Sequence, residues 1–403
     1  MVEGGGVRVK GFEKVYRGFS GSKKSERLGV SRPEVPPIYA TSVFSFDRLE
    51  DMDRVFEGKS HGFIYSRIDN PTNKLLEDVL AELELSEQAL VFSSGMAAIS
   101  HSLMAALKPG DHVVVSDVIY GGSYALFKDI LGSWDVEVDF VDIFDVEAVK
   151  RSIRQNTKVI YCETISNPMM EVADIPSLSS LAKENGILLF VDNTFASPVL
   201  CNPVMLGANV VIHSLTKYIN GHSDVTGGMV AGEKTFMEKL LKIRTIIGGC
   251  MSPFDAWLTL RGIKTLHARM KVHSENAMAL ARLLENHPKV GKVYYPGLER
   301  QKTYGIARKV LEGGFGGMLS FELLADEAEL NNFLENLELI ELVPSLASVS
   351  TILSIPAKTS HRAVPEDVRL SKGISNSLIR LSVGIEPLEV IWKDISNSLD
   401  KLS

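Results

Sequence analysis

Cysteine is scarce in this chain. Three stand among 403 residues, Cys162, Cys201 and Cys250, widely spaced and in no C-x-x-C pair. An odd, scattered set excludes a disulfide framework and offers no zinc-binding pattern; it suits reduced thiols in a cytoplasmic protein. No apolar run approaches the ~20 residues that a membrane span requires. The first 30 residues are mildly basic through Arg8, Lys10, Lys14, Arg17, Lys23, Lys24 and Arg27. No apolar stretch follows them, so they do not read as a secretory signal. An excess of positive charge is missing too. The formal net charge is −7, which gives no electrostatic reason to expect nucleic acid or an anionic membrane surface as partner. A G-x-G-x-x-G after a strand, a Walker lysine and an H-E-x-x-H helix are all absent, so dinucleotide, nucleoside triphosphate and metal sites lack support. His213 and His222 show no metal-ligand pattern and read as structural. The run Gly313-Gly314-Phe315-Gly316-Gly317 precedes a strand with no helix after it, and reads as a turn.

What is present is the composition of an ordinary soluble globular protein, with 45% hydrophobic and 23% charged residues. The length allows two or three domains and a large core. Residues 1–67 have no sustained periodicity and carry Gly4-Gly5-Gly6, Gly21-Ser22-Lys23-Lys24 and Pro36-Pro37. They read as an extended N-terminal arm that packs on something else, with one short helix around 46–56. From Pro71 onward strands and helices alternate. Helices are expected over 73–85, 95–107, 124–131 and 176–185, and strands over 89–92, 112–115, 136–141, 158–162, 187–191, 210–213 and 228–231. This pattern predicts an α/β fold for residues 68–262, a mostly parallel sheet covered by helices on both faces. Residues 263–403 read as a C-terminal α+β domain, with helices over 267–286, 327–337 and 387–399 and strands over 290–295, 318–323 and 378–383.

The run Val210-Val211-Ile212-His213-Ser214-Leu215-Thr216-Lys217 carries the first chemical signal. A β-branched apolar stretch reads as a buried strand, and a lysine just beyond its end lies where α/β proteins bind ligands. A desolvated lysine loses proton affinity and can form a Schiff base. Ser214 and Thr216 are short donors suited to a phosphate. Together these suggest pyridoxal phosphate (PLP). Asp192 ends the preceding strand; it is either a helix cap or the partner of a pyridine nitrogen. Ser93-Ser94-Gly95-Met96 joins a strand to a helix whose N-terminal amides favour an anion, although a plain connection uses the same residues. Tyr120 follows another strand end, and either stacks on a ligand or packs a loop. Tyr65 and Arg67, two apart on an extended segment, can point the same way and grip a phosphate. Arg380 lies in mid-strand among apolar neighbours, so it either faces water or is buried against an anion such as a carboxylate.

In order along the chain these residues resemble the Cys/Met-metabolism family of PLP enzymes, which includes cystathionine γ-synthase, cystathionine γ-lyase, methionine γ-lyase and the acylhomoserine sulfhydrylases. The motifs are Tyr65-Ser-Arg67-x-x-Asn-Pro-Thr72, Ser94-Gly95-Met96-Ala97, Tyr120-Gly-Gly122, Glu163-Thr-x-x-Asn167-Pro168, Val191-Asp-Asn-Thr194, Ser214-x-Thr216-Lys217-Tyr218, Gly221-His222-Ser-Asp224, Ser252-Pro253, Arg261-Gly-x-Lys-Thr-Leu266, Tyr295-Pro-Gly297 and Arg380-Leu-Ser-Val-Gly-x-Glu386. The resemblance covers Pro36 to the C-terminus and implies the PLP-dependent transferase fold type I. It implies that Lys217 is the Schiff-base lysine and proton shuttle, that Asp192 pairs with the pyridinium, and that Tyr120 stacks on the ring and assists the leaving group. Gly95, Met96, Ser214 and Thr216 are then the phosphate ligands, joined by Tyr65 and Arg67 from the adjacent subunit. Arg380, Ser345 and Asn167 bind the substrate carboxylate. A homotetramer built from two dimers with composite sites is implied as well.

The chemistry so implied is acidification of Cα by PLP, proton transfer by Lys217, and a second deprotonation at Cβ that expels the γ-substituent. Hydrolysis then gives 2-oxobutanoate, ammonia and a thiol; capture of a thiol at Cγ gives γ-replacement on an O-acylhomoserine instead. Two positions depart from the cystathionine-handling pattern. Ala125 stands where an arginine is common after Tyr-Gly-Gly, and Ser350 where a glutamate is common after Ser-Leu-Gly. Both losses leave a distal amino-acid moiety poorly paired and favour a small apolar thioether. Against that, no cysteine lies near Gly122, as methionine-specific members usually have, and Gly221-His222-Ser223-Asp224 looks more like the cystathionine enzymes. A C–S γ-lyase of methionine or cystathionine type is the leading expectation. An aminotransferase of the same fold and a non-catalytic binding module are the more distant ones.

Overall fold

The computed structural model describes Ser31, residues 33–362 and residues 364–402. The glycine-rich stretches expected in the arm before residue 31 lie outside the described residues.

A seven-stranded sheet is built from β1 (Gln88–Phe92), β2 (His112–Ser116), β3 (Glu137–Val141), β4 (Thr157–Glu163), β5 (Leu188–Asp192), β6 (Val210–Ser214) and β7 (Gly228–Gly232), in the order β1-β7-β6-β5-β4-β2-β3. Strands β6, β5, β4, β2 and β3 run parallel. The sheet is mostly parallel, as expected, with one exception. β7 is antiparallel to both of its neighbours, β6 and β1. The run Gly228-Met229-Val230-Ala231-Gly232 is uniformly buried, and a doubly buried strand carries no mark of its direction in sequence.

Alternation along the strands divides the core between the two faces. Val91, Ile160, Cys162, Leu189, Val191 and Val211 join the hydrophobic cluster on one face. Leu90, Val113, Val115, Val159, Tyr161, Phe190, Val210 and Ile212 join the cluster on the other. Helices cover both sides, and none among the described residues is long and apolar enough to cross a membrane.

A second sheet has the order β10-β11-β12-β9-β8, formed by β8 (Val290–Tyr294), β9 (Met318–Leu323), β10 (Glu341–Leu342), β11 (Ile352–Ser354) and β12 (Leu378–Ser382). It packs with the helices Leu266–Glu285 and Leu388–Leu399 around Phe321, Ile379, Leu381, Ile391 and Leu399. β10 and β11 were not anticipated, because two and three residues are too few to display a period. Six α-helices also escaped the sequence reading: Val146–Ser152, Ser197–Leu200, Lys234–Ile247, Pro253–Ile263, Tyr304–Val310 and Glu366–Ser371. The helix expected over 124–131 is a short α-turn, Gly121–Ala125, running into a π-helix, Leu126–Leu131. The glycine run before β9 is a loop, with Gly313, Gly314 and Gly316 at positive φ.

Residues 33–67 carry one helix, Leu49–Phe56, with no buried residue. The segment is tied down by Trp257 Nε1 donating to the Pro36 carbonyl at 3.0 Å and Asn70 Nδ2 to the Tyr39 carbonyl at 2.9 Å. A buried ion pair stitches this end of the chain to the sheet. Arg244 donates to Glu77 Oε1 at 2.6 Å and to the Val91 carbonyl at 2.8 Å, with both charged side chains under 5% exposed. Removing the cation strands a carboxylate in the interior, so Arg244→Ala is expected to cost about 3–5 kcal/mol. Equilibrium urea unfolding of the cofactor-loaded protein measures it, and a loss under about 1 kcal/mol contradicts the burial argument.

Candidate active site

The carboxyl ends of β4, β5 and β6 open on one crevice, where Glu163, Asp192 and Ser214 are the last residues of their strands. In a parallel sheet this is where side chains converge on a ligand. Lys217 lies three residues past β6 in a tight loop, its amide donating to the Ser214 carbonyl at 3.2 Å and its carbonyl accepting from Gly221 at 2.8 Å. Its Nζ donates to Ser345 Oγ at 3.0 Å. Loss of solvation, and then the nearby positive charge of Arg380, pull its pKa from 10.5 down to about 8.

Arg380 is the middle residue of β12 and is 4% exposed. The open choice between a solvated and a buried arginine resolves as buried. Its guanidinium donates to Asn167 Oδ1 at 2.9 Å and to the Ser345 carbonyl at 3.3 Å. Both acceptors are neutral, so the charge has no carboxylate at hydrogen-bond distance among the described residues. Burial lowers its pKa to about 10. A buried guanidinium held by two neutral oxygens is ready to receive a carboxylate ligand.

The loop that presents Ser345 is fixed from several sides. Val349 donates to the Gly221 carbonyl at 3.0 Å, and Ile385 donates to the Val349 carbonyl at 2.8 Å. Ala347 donates to Ser382 Oγ at 2.7 Å, and holds φ 65°, a left-handed conformation that favours glycine. Thr351 donates to both oxygens of Glu386, at 2.6 and 2.8 Å. The lysine loop, the serine loop and the end of β12 therefore move as one piece.

Asp192 Oδ1 accepts from the Thr194 amide at 3.0 Å and from the Thr194 hydroxyl at 2.5 Å. Oδ2 has the Tyr161 hydroxyl at 3.5 Å. That pattern is an Asx-type turn rather than a helix cap. Burial lifts the carboxyl above its ordinary range, opposed by the Thr194 bonds. No cation stands at hydrogen-bond distance among the described residues, so a protonated ring nitrogen at Oδ2 suits it. Glu163 lies opposite Asp192 in the β4–β5 register. It is pushed well above the usual carboxyl range by burial and then by the Asp192 charge.

A phosphate-sized cradle is built where β1, β6 and β7 meet. Ser94 caps the helix Gly95–Ala106 by accepting from Ala97 at 3.0 Å, which leaves the first-turn amides of Gly95 and Met96 free for an anion. Glycine at 228 is required here, since a Cβ would fall 2.2 Å from the Ser94 carbonyl oxygen. A Cβ at Gly95 would lie 3.0 Å from the Ser214 Cβ, so those two residues face each other. Thr216 Oγ1 accepts from Gly227 at 3.0 Å. Tyr120 folds over Gly122, whose missing Cβ would fall 2.5 Å from the tyrosine Cε1 and 3.3 Å from Met96 Sδ. A lysine, a carboxylate without a cation, an amide cradle and an aromatic ring beside it fit PLP.

Tyr65 and Arg67 do not join this group. The Arg67 guanidinium lies 5.4 Å from the Tyr65 ring centroid and donates to the Thr245 carbonyl. Among the described residues neither makes a hydrogen bond to Gly95, Met96, Ser214 or Thr216. His213 pairs with Glu84, both fully buried, and His222 Nδ1 contacts the Asn220 carbonyl at 2.7 Å. No metal-binding cluster occurs among the described residues. A cleft of about 400 Å³ lies elsewhere, lined by Asp117, Asp142, Glu171, Lys292, Lys302 and Lys372 among others. Its charges largely compensate one another: Lys372 pairs with Asp117, and Lys302 with Asp142 and Glu171. Thr194, Tyr161 and Glu163 were not assigned from sequence. Thr194 was the legible one, since Asp-x-Thr is an Asx-turn pattern.

A family model described as "Cys/Met metabolism PLP-dependent enzyme" matches residues 20–400. A cystathionine gamma-lyase of Bacillus subtilis (strain 168) is 41% identical, over 96% of this chain and 98% of its own. An L-methionine gamma-lyase of Fusobacterium nucleatum subsp. polymorphum is 42% identical, over 91% and 93%. The crystal structure of cystathionine gamma synthase from Xanthomonas oryzae pv. oryzae in complex with aminoacrylate and cysteine matches with a TM-score of 0.90 and 38% identity, over 97% of both chains.

In the cofactor-free protein, competitive acylation across a pH series is expected to half-titrate Lys217 near pH 8, against an ordinary 10.5. The unfolded chain keeps that proton longer than the folded one, so stability rises with pH between those values. Arg380→Met removes the smaller cause and moves the midpoint up, short of 10.5. A midpoint at 10.5 in the unaltered protein refutes the desolvation.

Proposed function

The chain belongs to the Cys/Met-metabolism PLP-dependent enzymes, and on that footing we propose that it is a C–S γ-lyase of sulfur amino acids, of the methionine or cystathionine γ-lyase type. The observation that carries this reading is the Lys217–Ser345–Arg380–Asn167 chain, which puts a weakly basic amine beside a carboxylate-binding guanidinium. PLP bound here supplies an electron sink that acidifies Cα of the amino acid attached to it. Lys217 anchors the cofactor through Nζ. On the reacting side it would take the proton from Cα, give it up so that Nζ is a free amine again, and only then take one from Cβ. A group half-titrated near pH 8 passes protons both ways at neutral pH.

Arg380, with Asn167 and Ser345, holds the substrate carboxylate and fixes which bond at Cα lies toward Lys217. Asp192 keeps the ring nitrogen protonated. Gly95, Met96, Ser214 and Thr216 hold the phosphate, and Tyr120 stacks on the ring and protonates the departing sulfur. Residues 68–262 form the PLP-binding domain in this reading, residues 263–403 the C-terminal domain, and residues 1–67 the arm.

We assign Tyr65 and Arg67 to the neighbouring subunit's site. What supports this is the surface around them. Val43, Leu49, Phe56, Ile246 and Ile247 are all more than half exposed, an apolar grouping that a monomer rarely presents to water. Composite sites require a dimer, and we propose a cytoplasmic homotetramer of two such dimers. Mixing Arg67→Ala with Lys217→Ala subunits is expected to restore up to about a quarter of the activity, because one of the two sites in a hybrid dimer is then whole. Mixed dimers without activity contradict the composite site.

Substrate choice turns on Ala125, at the end of the short helix Gly121–Ala125, and on Ser350, which is exposed. Neither offers a charge to a distal amino-acid moiety, which favours a small thioether over cystathionine. The γ-replacement reading keeps its place because a cystathionine gamma synthase is among the structural matches. A side-by-side product assay decides. Methionine alone and cystathionine alone are each incubated with the holoenzyme, and O-acylhomoserine is incubated with cysteine or sulfide. Release of ammonia and 2-oxobutanoate from methionine or cystathionine supports the lyase. Turnover confined to O-acylhomoserine with a thiol refutes it.

A further inference from the structure

Tyr120 is 47% exposed and stands just before a helix of five residues, Gly121–Ala125. That helix runs on into Leu126–Leu131, but Tyr120 itself lies outside its first turn, with non-helical backbone, so the position of the ring depends on what holds this residue's backbone. The Tyr120 amide donates to Glu163 Oε1 at 2.7 Å. Glu163 ends β4, is 9% exposed, and lies across the strand register from Asp192. The Asn167 backbone amide bears electrostatically on the same carboxylate, and the Asn167 side chain is the acceptor for Arg380.

A second carboxylate beside Asp192 is electrostatically unfavourable. A glutamine there carries no repulsion, but it has one side-chain acceptor oxygen where a carboxylate has two. The Tyr120 amide takes Oε1, and the Asn167 amide bears on the same carboxylate.

We propose that Glu163 is a positioning residue whose carboxylate fixes the Tyr120 turn and the Asn167 turn to the end of β4, setting the stacking ring and the carboxylate-binding group in register. The inference rests on the reading of Tyr120 as the ring that stacks on PLP. It gives Glu163 two separable effects. Through Tyr120 it acts on turnover, and through Asn167 it acts on substrate affinity.

The test is a double-mutant cycle on the holoenzyme, with Glu163→Ala and Tyr120→Ala singly and together. PLP content and far-ultraviolet circular dichroism confirm folding. Glu163→Asp, which keeps the charge but withdraws both oxygens by one methylene, takes the place of Glu163→Ala if that variant does not fold. In the Tyr120 background the substitution is expected to lower kcat by about tenfold or more, the scale of a misplaced catalytic group. In the Tyr120→Ala background it lowers kcat by less than about twofold, while the rise in KM persists in both. The visible circular dichroism of the bound cofactor shifts in Glu163→Ala toward that of Tyr120→Ala. An equal loss of kcat in both backgrounds overturns the positioning of Tyr120 by Glu163 and leaves the tyrosine reading intact. If Tyr120→Ala changes neither kcat nor the visible dichroism, the stacking reading falls and this inference falls with it.

Discussion

Arg380 is charged in the interior, and much of the arrangement around Lys217 answers to that. A guanidinium that is 4% exposed is costly unless its donors are met. Here Asn167 Oδ1 and the Ser345 carbonyl meet two of them without neutralising it. The uncompensated charge has two consequences. It disfavours a second cation, which is part of why Lys217 gives up its proton near pH 8. It also lowers the cost of the buried Glu163 carboxylate, whose upward shift it opposes. One strand residue of the second sheet thereby tunes two groups on the first.

At the opposite pole the imbalance has the other sign. Asp192 and Glu163 are adjacent acids at neighbouring strand ends, with hydroxyl and amide donors as their close partners. Such a pair does not readily hold two negative charges. A cationic ring nitrogen at Asp192 relieves it, and the carboxylate of an amino acid at Arg380 relieves the excess positive charge on the other side. The crevice is thus polarised along one line, from acids to guanidinium, with Lys217 near the positive end. A zwitterionic or doubly charged ligand lying along that line is better matched than a neutral one.

The parts of this arrangement that depend on strand chemistry were legible in the sequence. Ile187 to Val191 and Val210 to Ile212 are apolar runs that end at a polar residue, so the placement of Asp192 and Lys217 beyond buried strands followed from periodicity alone. The motif resemblance added the pairing of Ser345 and Asn167 with Arg380, which no local pattern suggests. Strand direction was not legible. Gly228–Gly232 has the same uniform burial as the parallel strand β2, and only the chain's path makes it antiparallel. Glu163 was visible as a strand-terminal acid, yet its bond to the Tyr120 amide spans 43 residues. No spacing rule reaches that far.

The polar kernel is too generic to choose a substrate. In the proposed reading Arg380, Lys217 and Asp192 deal with groups that every amino acid and the cofactor share, so discrimination would come from what surrounds the side chain beyond Cγ. Those surroundings would include small, uncharged residues, Ala125 at the end of a short helix and Ser350 on an exposed loop. That loop is the one whose other end carries Ser345, and it is clamped by Glu386 through Thr351 and by Ser382 through Ala347. Between Ser345 and Ser350 the segment is anchored at Ala347, through Ser382, and at Val349, through the Gly221 carbonyl. In the proposed reading substrate range would vary at this exposed rim, while elimination from thioethers and replacement on O-acylhomoserines would share the same anchored polar kernel.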